Sequence, residues 1–144
     1  YCGAGTISLF MSGHVDEVVS VEMVEPAVEN ARANAKKNGV DNATFVAGDL
    51  KDVFTPAFVE EHGEPDVLIV DPPRAGMHKN VVGQIAELSP ERFVYVSCNP
   101  QTQVRDLDRL NTLTGGSYRI DAVQPVDMFP HTPHVENVVR LTRV

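Results

Sequence analysis

The sequence predicts an α/β fold, a doubly wound and mostly parallel sheet that ends in an antiparallel pair of strands. Three observations support this class. Short β-rich runs alternate with helical patterns along the whole chain. One run, Val67–Val70, is fully apolar between Pro65 and Pro72, as is typical of a buried parallel strand. No helical pattern separates the last two β-rich runs, so we expect those two strands to pair antiparallel.

The first half of the chain is expected to alternate short strands with helices. Its clearest helix begins near Pro26, which suits a first turn, and ends before Gly39. Three alanines recur on one face of that helix, Ala27, Ala31 and Ala35. The predicted elements in chain order are the end of a strand at Tyr1 and Cys2, a helix over 6–12 closed by Gly13, a strand over 18–21, the helix over 26–38, a strand over 44–47 and a weaker helix over 53–61.

The second half continues the alternation and then changes to strands alone. Asn99 can cap a helix that follows it, and Pro100 can occupy the first helical position. The predicted elements in chain order are a strand over 67–70, a helix over 79–88, a strand over 93–97, the helix that begins after Asn99, and strands over 118–126 and 135–142.

Composition limits the class of protein. The chain has 144 residues, of which 42% are hydrophobic, as expected for one globular domain. No apolar run approaches the roughly 20 residues of a membrane helix. The two cysteines form no C-x-x-C, which excludes a disulfide framework and a cysteine-only metal site and favours a reducing, cytoplasmic setting. The chain begins at Tyr1, without Met, at the end of a predicted strand, so we expect a fragment of a longer protein.

The net charge of −8 argues against a nucleic-acid-binding surface in this segment, because phosphate contacts require Lys and Arg. A nucleic-acid enzyme could still have this charge if its basic surface lay elsewhere in the protein, or if the organism favoured acidic proteins. Arg105 and Arg109, with Lys36 and Lys37, are predicted to lie on solvated helix faces. Arg74 could contact a phosphate or a base, or form an ion pair within a loop.

Glycine or polar residues follow every predicted parallel strand. In a doubly wound sheet ligands bind beyond the carboxyl ends of the strands, so these residues are expected at one edge. The pattern therefore predicts a site at that edge. Its members are Gly3 and Gly5 after the first strand, Glu22 after the second, Asp49 after the third, Asp71 after the fourth and Cys98 after the fifth.

The segment Cys2–Thr6 predicts a glycine turn between a strand and a helix. Glycine allows a close approach of the backbone to a ligand, and the helix start offers free N–H groups. Glu22, 17 residues after Gly5, can accept a hydrogen bond from a ribose hydroxyl. Ser8 occupies the position of the third glycine in the dinucleotide fingerprint. A nicotinamide cofactor, another nucleotide cofactor and a purely structural turn all remain compatible with these residues.

Cys98 and Glu136 are candidates for reactive groups. Cys98 precedes a predicted helix N-terminus, where the dipole favours a thiolate, although an inert buried cysteine would fit the same pattern. Glu136 enters the last strand after a segment rich in proline and aromatic or imidazole rings, against which a flipped-out base could stack. The sequence His134-Val135-Glu136 imitates the H-x-E of zinc deaminases, but the P-C-x-x-C which that site needs is absent. We predict no metal site.

Five motifs in order give the chain a resemblance to a known family, the RNA uracil-C5 methyltransferases, which make 5-methyluridine in tRNA or ribosomal RNA. The first motif is shared by many class I methyltransferases. The segments Ser97–Pro100 and Phe129–Glu136 are specific to this family. The motifs are Cys-Gly-Ala-Gly-Thr at 2–6, Val-Glu at 21–22, Asp-Pro-Pro-Arg-Ala-Gly at 71–76, Ser-Cys-Asn-Pro at 97–100 and Phe-Pro-His-Thr-Pro-His-Val-Glu at 129–136.

The resemblance implies a seven-stranded, Rossmann-like class I methyltransferase sheet with S-adenosyl-L-methionine as methyl donor. It implies that Cys98 is the nucleophile that adds to C6 of uracil and that Glu136 is the base that removes the C5 proton. The family's RNA-binding N-terminal module and central insertion are absent from this sequence, so we expect RNA to be held mainly by other regions, in a monomeric enzyme. The implied cofactor-binding residues are Tyr1, Gly3, Gly5, Thr6, Glu22, Asp49 and Asp71.

Three other functions fit parts of the sequence. A methyltransferase acting on a nucleobase amino group also pairs an acid or Asn with two prolines, but it places an aromatic residue where this chain has Arg74, and it needs no cysteine. A nicotinamide-dependent oxidoreductase would use the same glycine turn. A cofactor-binding protein without activity is disfavoured because both reactive positions, Cys98 and Glu136, are occupied.

Overall fold

The computed structural model describes all 144 residues, and the chain divides into two compact units, Tyr1–His62 and Gly63–Val144. Helices and strands alternate in both, which confirms the predicted α/β class. None of the helices is both long enough and apolar enough to span a bilayer. The first unit contains α1 (Thr6–Ser12), β1 (Val18–Glu22), α2 (Glu25–Lys37), β2 (Ala43–Ala47), α3 (Leu50–Val53) and α4 (Pro56–His62).

The first unit is a β1–α2–β2 crossover with a small core. β1 and β2 pair in parallel, in a register that runs from Val18 opposite Ala43 to Glu22 opposite Ala47. The buried face of α2 consists mainly of small side chains, which let the helix pack closely on β2. The core residues are Val28, Ala31, Ala35 and Phe45.

Two predictions for this unit were wrong. The single helix expected over 53–61 is two helices, α3 and α4, because Pro56 lacks an N–H and starts a new helix instead of continuing the old one. The hydroxyl of Thr55 accepts a hydrogen bond from the backbone N–H of Phe58 at 3.3 Å, as an N-cap does. Tyr1 and Cys2 form no strand: the backbone nitrogen of Tyr1 donates to the carbonyl of Val21, but no ladder follows. The structure therefore has six strands, not the seven that the resemblance implies.

The second unit is a four-stranded sheet in the order β3-β4-β6-β5. β3 and β4 are parallel, whereas β6 runs antiparallel to both of its neighbours, β4 and β5. The predicted antiparallel pair at the end of the chain is therefore confirmed. The elements are β3 (Val67–Val70), α5 (Lys79–Leu88), β4 (Arg92–Ser97), α6 (Pro100–Leu113), β5 (Tyr118–Val126) and β6 (Glu136–Arg143).

The core of the second unit lies where the sheet meets α5 and α6. Every second residue of β4 is buried, so Phe93, Tyr95 and Ser97 face the interior. α5 contributes three aliphatic side chains to this core, Val81, Val82 and Ile85. α6 buries Gln103, Asp106 and Leu110, so two of the three side chains that it turns inward are polar. Buried polar groups need partners, and these partners lie around the candidate site.

Candidate active site

Three chemically active side chains lie at one edge of the sheet in the second unit. Asp71 directly follows β3, whose last residue pairs with Tyr95. β6 is antiparallel to β4, so β6 starts at the edge where β3 and β4 end. The last pair in the β4–β6 register is Ser97 with Asn137; Cys98 immediately follows Ser97, and Glu136 immediately precedes Asn137. The topology therefore brings Asp71, Cys98 and Glu136 to the same edge, at the ends of three adjacent strands.

These three side chains make no hydrogen bond to the rest of the chain. Cys98 and Glu136 are half-buried. Partial burial raises the pKa of the Glu136 carboxyl, and the neighbouring charge of Asp71 raises it further. Loss of surrounding water likewise raises the pKa of Asp71. A carboxylate with a raised pKa is a stronger base than an ordinary one, so this edge has the electrostatics that proton abstraction requires.

The start of α6 fixes the backbone on both sides of Cys98. The side chain of Asn99 caps the helix by accepting a hydrogen bond from the N–H of Gln101 at 3.2 Å, as predicted. The hydroxyl of Ser97 accepts from the N–H of Asn99 at 3.0 Å. The carbonyl of Arg74 accepts from the Asn99 amide and from the Thr102 hydroxyl, both at 3.2 Å. The helix start and the loop after Asp71 are therefore joined.

Asp106, a buried residue of α6, holds the same loop through its carboxylate. Its carboxylate is 3% exposed and accepts hydrogen bonds from the N–H of Met77 at 2.7 Å and the hydroxyl of Tyr95 at 2.8 Å. Gly76 has a φ of +81°, and a Cβ there would lie 2.5 Å from Asp106 Oδ2. Only glycine therefore lets the loop come this close to α6.

Arg105 has a structural role that was not predicted. It was expected on a solvated helix face, and its side chain is indeed 58% exposed. Its guanidinium nevertheless donates to Asp106 Oδ1 at 2.7 Å and to the carbonyl of Ala75 at 2.9 Å. The exposure was predicted, but the contact with the loop was not, because a partner 30 residues earlier in the chain cannot be inferred from helical periodicity.

Arg74 connects the two loops at the site. Its Nη2 lies 3.1 Å from His134 Nδ1. A guanidinium can only donate, so His134 Nδ1 is the acceptor in this contact. The contact links the loop after β3 with the loop before β6, which leads into Glu136. The alternative of an ion pair within the loop is not realised, since Arg74 contacts an imidazole.

The glycine turn of the first unit has the predicted conformation. Gly3 and Gly5 have φ values of +53° and +83°, in the left-handed region. A Cβ on Gly5 would lie 3.0 Å from the ring of Phe45 and 3.1 Å from Cβ of Ala31. Thr6 is the first residue of α1. The turn therefore depends on glycine both for its backbone conformation and for its packing.

Glu22, at the end of β1, binds this turn through its carboxylate. Oε2 accepts from the N–H groups of Cys2 at 3.1 Å and Gly3 at 2.9 Å, and Oε1 accepts from the N–H of Val24 at 3.0 Å. Partial burial alone would raise the pKa of Glu22, but the hydrogen bonds from backbone N–H groups, chiefly those of Gly3 and Val24, together with the positive charge of the chain's amino group lower the pKa below its ordinary value. A carboxylate offers about four acceptor sites, so Glu22 can still accept from a hydroxyl.

Asp49 lies just after β2, so it shares the sheet edge of the first unit with Glu22. Its side chain caps α3 by accepting from the N–H of Lys51 at 3.1 Å and pairs with the Lys51 ammonium at 2.7 Å. The structure thus gives Asp49 a capping role, and its implied contact with a cofactor stays a prediction. No group of three or more His, Cys, Asp or Glu side chains in the chain is arranged to hold a metal ion.

The buried polar residues of α6 and β6 were not predicted from the sequence. These are Gln103, Asp106 and Asn137. One signal was available, because Gln103 and Asp106 share a helix face with the apolar Leu110. Polar residues on a core-facing stripe indicate a buried network. Their partners, however, come from distant strands and could not be inferred.

The fold is that of the class I methyltransferases. A solved structure of Pyrococcus abyssi tRNA (uracil-54, C5)-methyltransferase in complex with S-adenosyl-L-homocysteine matches 99% of this chain with a TM-score of 0.83 and 40% identity, over 33% of that protein. A Streptococcus thermophilus rRNA methylase matches the whole chain, over 83% of its own, with a TM-score of 0.76. At 12% identity, this second likeness supports the fold alone.

Within that class, the chain belongs to the tRNA (uracil-5-)-methyltransferase family, whose model matches residues 1–144. A Bacteroides thetaiotaomicron protein is 55% identical over 98% of this chain, and a Porphyromonas gingivalis protein is 54% identical over 99%. Both are named as uncharacterised RNA methyltransferases. The chain spans 30% of the length of each. The resemblance inferred from the motifs is therefore confirmed at the level of the family.

Proposed function

We propose that the protein containing this chain transfers a methyl group from S-adenosyl-L-methionine to C5 of a uridine in tRNA or ribosomal RNA, with Cys98 as nucleophile and Glu136 as base. One observation carries the proposal: Cys98 directly follows β4, Glu136 begins the neighbouring antiparallel strand β6 at the same sheet edge, and neither side chain makes a hydrogen bond. The pKa of the Glu136 carboxyl is raised there. Membership of the tRNA (uracil-5-)-methyltransferase family supports the same reaction.

The chemistry explains why both groups are needed. C5 of uracil is too weak a nucleophile to attack a methyl sulfonium directly, and covalent catalysis overcomes this. The Cys98 thiolate adds to C6, and the electron pair of the C5–C6 double bond moves toward C5 and the O4 enolate. C5 then forms a bond to the methyl group while the methyl–sulfur bond of the donor breaks, which would release S-adenosyl-L-homocysteine. Glu136 removes the proton from C5, the C5–C6 double bond forms again, and the thiolate leaves.

When bound, S-adenosyl-L-methionine supplies the electrophilic methyl group. Several residues fit a ligand of this kind. The glycine turn exposes backbone at a helix start, and Glu22 keeps acceptor capacity for a hydroxyl. Asp71 is an acceptor that takes no hydrogen bond from the chain. The residues proposed to hold the cofactor are Tyr1, Gly3, Gly5, Thr6, Glu22, Asp49 and Asp71.

RNA is proposed to be held mainly by parts of the complete protein outside this chain. The first unit contains ten Asp or Glu and four Lys or Arg, a formal charge of −6, and the second contains ten and eight, a charge of −2. Neither unit has the positive balance that phosphate binding favours. The relatives are more than three times as long as this chain, so they have room for such a surface. A monomeric state and a cytoplasmic location stay predictions.

The experiment uses the complete protein, S-adenosyl-L-methionine and an RNA in which the candidate uridines are 5-fluorouridine. Fluorine at C5 cannot be removed as a proton is, so the methylated adduct persists. We expect mass spectrometry to find that adduct on Cys98 and to find none in Cys98→Ala. Turnover on ordinary RNA should fall by at least about a thousandfold in Cys98→Ala.

Cys2→Ala is the matched control, since Cys2 is the only other cysteine of this chain, and this variant should still form the adduct. Methyl transfer that survives in Cys98→Ala would instead indicate an amino-group methyltransferase. The absence of an adduct from a protein that binds both the RNA and S-adenosyl-L-methionine would refute the covalent mechanism.

A further inference from the structure

A buried pair of amide side chains joins α6 to the start of β6. Gln103 is 1% exposed and Asn137 is 9% exposed. The Asn137 amide nitrogen donates to Gln103 Oε1 at 2.6 Å. The two residues are 34 positions apart, so the pair is a tertiary contact and not part of a local turn.

The amide nitrogen of Gln103 donates two further hydrogen bonds, one to each of the strands next to the reactive groups. Its Nε2 donates to the carbonyl of Tyr95 on β4 at 2.8 Å and to the carbonyl of Asn137 on β6 at 3.1 Å. Cys98 follows Tyr95 by three residues, and Glu136 immediately precedes Asn137. One side chain therefore holds backbone atoms on the approach to both reactive positions.

These hydrogen bonds fix the position of β4 relative to β6 more narrowly than apolar packing would. An apolar side chain at position 103 could fill the same volume in several orientations. A buried amide that loses a partner costs about 1–3 kcal/mol, so the pair tolerates little displacement of β4 relative to β6. The amide nitrogen and the oxygen of Gln103 are both engaged in the observed arrangement.

We propose that Gln103 and Asn137 are positioning residues, which hold the start of β6 against the end of β4 so that Glu136 is correctly placed for the group bound to Cys98. The inference rests on the proposed function. It also predicts which step is affected. Addition of the thiolate depends on Cys98 at the start of α6, whereas removal of the C5 proton depends on the position of Glu136 relative to the adduct.

The test is Gln103→Leu in the complete protein, a change that keeps the side-chain volume and removes every hydrogen bond of the amide. We expect kcat to fall about ten- to a hundredfold, while KM for RNA and for S-adenosyl-L-methionine changes less than about twofold. Because proton removal is slowed most, a methylated covalent adduct should accumulate on ordinary uridine RNA and be visible by denaturing electrophoresis.

A second variant separates positioning from stability. Gln103→Leu leaves the side-chain amide of Asn137 unpaired and lowers Tm, whereas Gln103→Leu/Asn137→Leu also removes that amide and should recover the part of the lost Tm that the unpaired amide causes. If the pair positions Glu136, the double variant recovers this part of Tm but keeps the low kcat and the accumulated adduct. If kcat recovers together with Tm, or if neither variant accumulates adduct, the inference is wrong.

Ser20→Ala provides a matched control, because it removes another buried side-chain hydrogen bond, from Ser20 to Ser8 at 2.8 Å in the first unit. It should lower Tm without accumulation of adduct. The 5-fluorouridine experiment on the wild-type protein distinguishes a failure of the proposed function from a failure of the positioning role alone. Failure to trap Cys98 there overturns the proposed function and this inference with it, whereas successful trapping with normal kinetics in Gln103→Leu overturns this inference alone.

Discussion

The two compact units build their candidate sites in opposite ways. In Tyr1–His62 the main chain forms the site: two glycines have positive φ, and the Glu22 carboxylate accepts three backbone N–H groups. In Gly63–Val144 the reactive side chains make no hydrogen bonds, and buried side chains around them hold the backbone. Gln103 and Asp106 are the main examples.

The difference follows from what each site must do. A turn that approaches a ligand closely needs a backbone without a Cβ, so it should be disrupted most by substitutions that add a side-chain atom. A nucleophile and a base must stay available for reaction, so the order of their site comes from neighbours. Such a site should be disrupted most by substitutions that remove a buried polar atom. Substitutions in the two units should therefore fail for different reasons.

The largest change in stability is expected for Asp106→Ala in the second unit. It leaves the buried N–H of Met77 and the hydroxyl of Tyr95 without an acceptor, which should lower the free energy of unfolding by about 3 kcal/mol. Urea denaturation of the complete protein measures this. Asp108→Ala, an exposed carboxylate on the same helix, should change stability by less than about 0.5 kcal/mol. Equal effects of the two changes would show that the buried network contributes no stability.

A smaller loss is expected for Gly5→Ala in the first unit. The change places a Cβ at a φ of +83°, 3.0 Å from the ring of Phe45, and should cost about 2 kcal/mol and weaken S-adenosyl-L-methionine binding. Gly39→Ala is the matched control, because Gly39 has a φ of +67° but no atom within 4 Å of the added Cβ. It should cost about 1 kcal/mol and leave binding intact. Calorimetry measures both quantities. Equal loss of binding in the two variants would contradict the role given to the turn.

The smallest effect is a change of pH dependence. The proposed base, Glu136, has to be deprotonated to accept a proton, so we expect kcat to rise with pH through its pKa, which lies above the ordinary value. Asp71→Asn removes the negative charge that contributes to this shift, so the acid limb of kcat at saturating cofactor should move to lower pH. Glu91→Gln, which removes a charge before the opposite end of β4, should leave the limb in place. An acid limb that stays in place in Asp71→Asn would mean that Glu136 does not control it.

The sequence was most informative where local chemistry decides the structure. The bounds of β3, α5 and β5 were predicted to the residue, because an apolar run, a periodic pattern and turn signals are all local. The division of the helix over 53–61 could have been predicted as well, since Pro56 follows a capping residue, Thr55. The motif residues of both sites were identified by resemblance and local pattern.

Tertiary hydrogen bonds could not be predicted from the sequence. Asn137 and Gln103 are separated by 34 positions, and no pattern in either segment indicates that the other is its partner. The capping role of Asp49 was not predicted either. The resemblance assigns Asp49 to the cofactor site, whereas in the structure its side chain caps a short helix. Burial and pairing depend on how distant strands are aligned, and that alignment is a property of the folded sheet.

The position of β6 also has a consequence for the order of folding. β6 follows β5 in the chain but lies between β4 and β5 in the sheet. During synthesis β5 therefore lacks its neighbour in the sheet until β6 has left the ribosome. Until β6 pairs with β4, nothing holds Glu136 next to the end of β4, which Cys98 follows. The proposed pair of nucleophile and base is thus assembled only when β6 is in place, and a chain without β6 carries an exposed strand edge on β4.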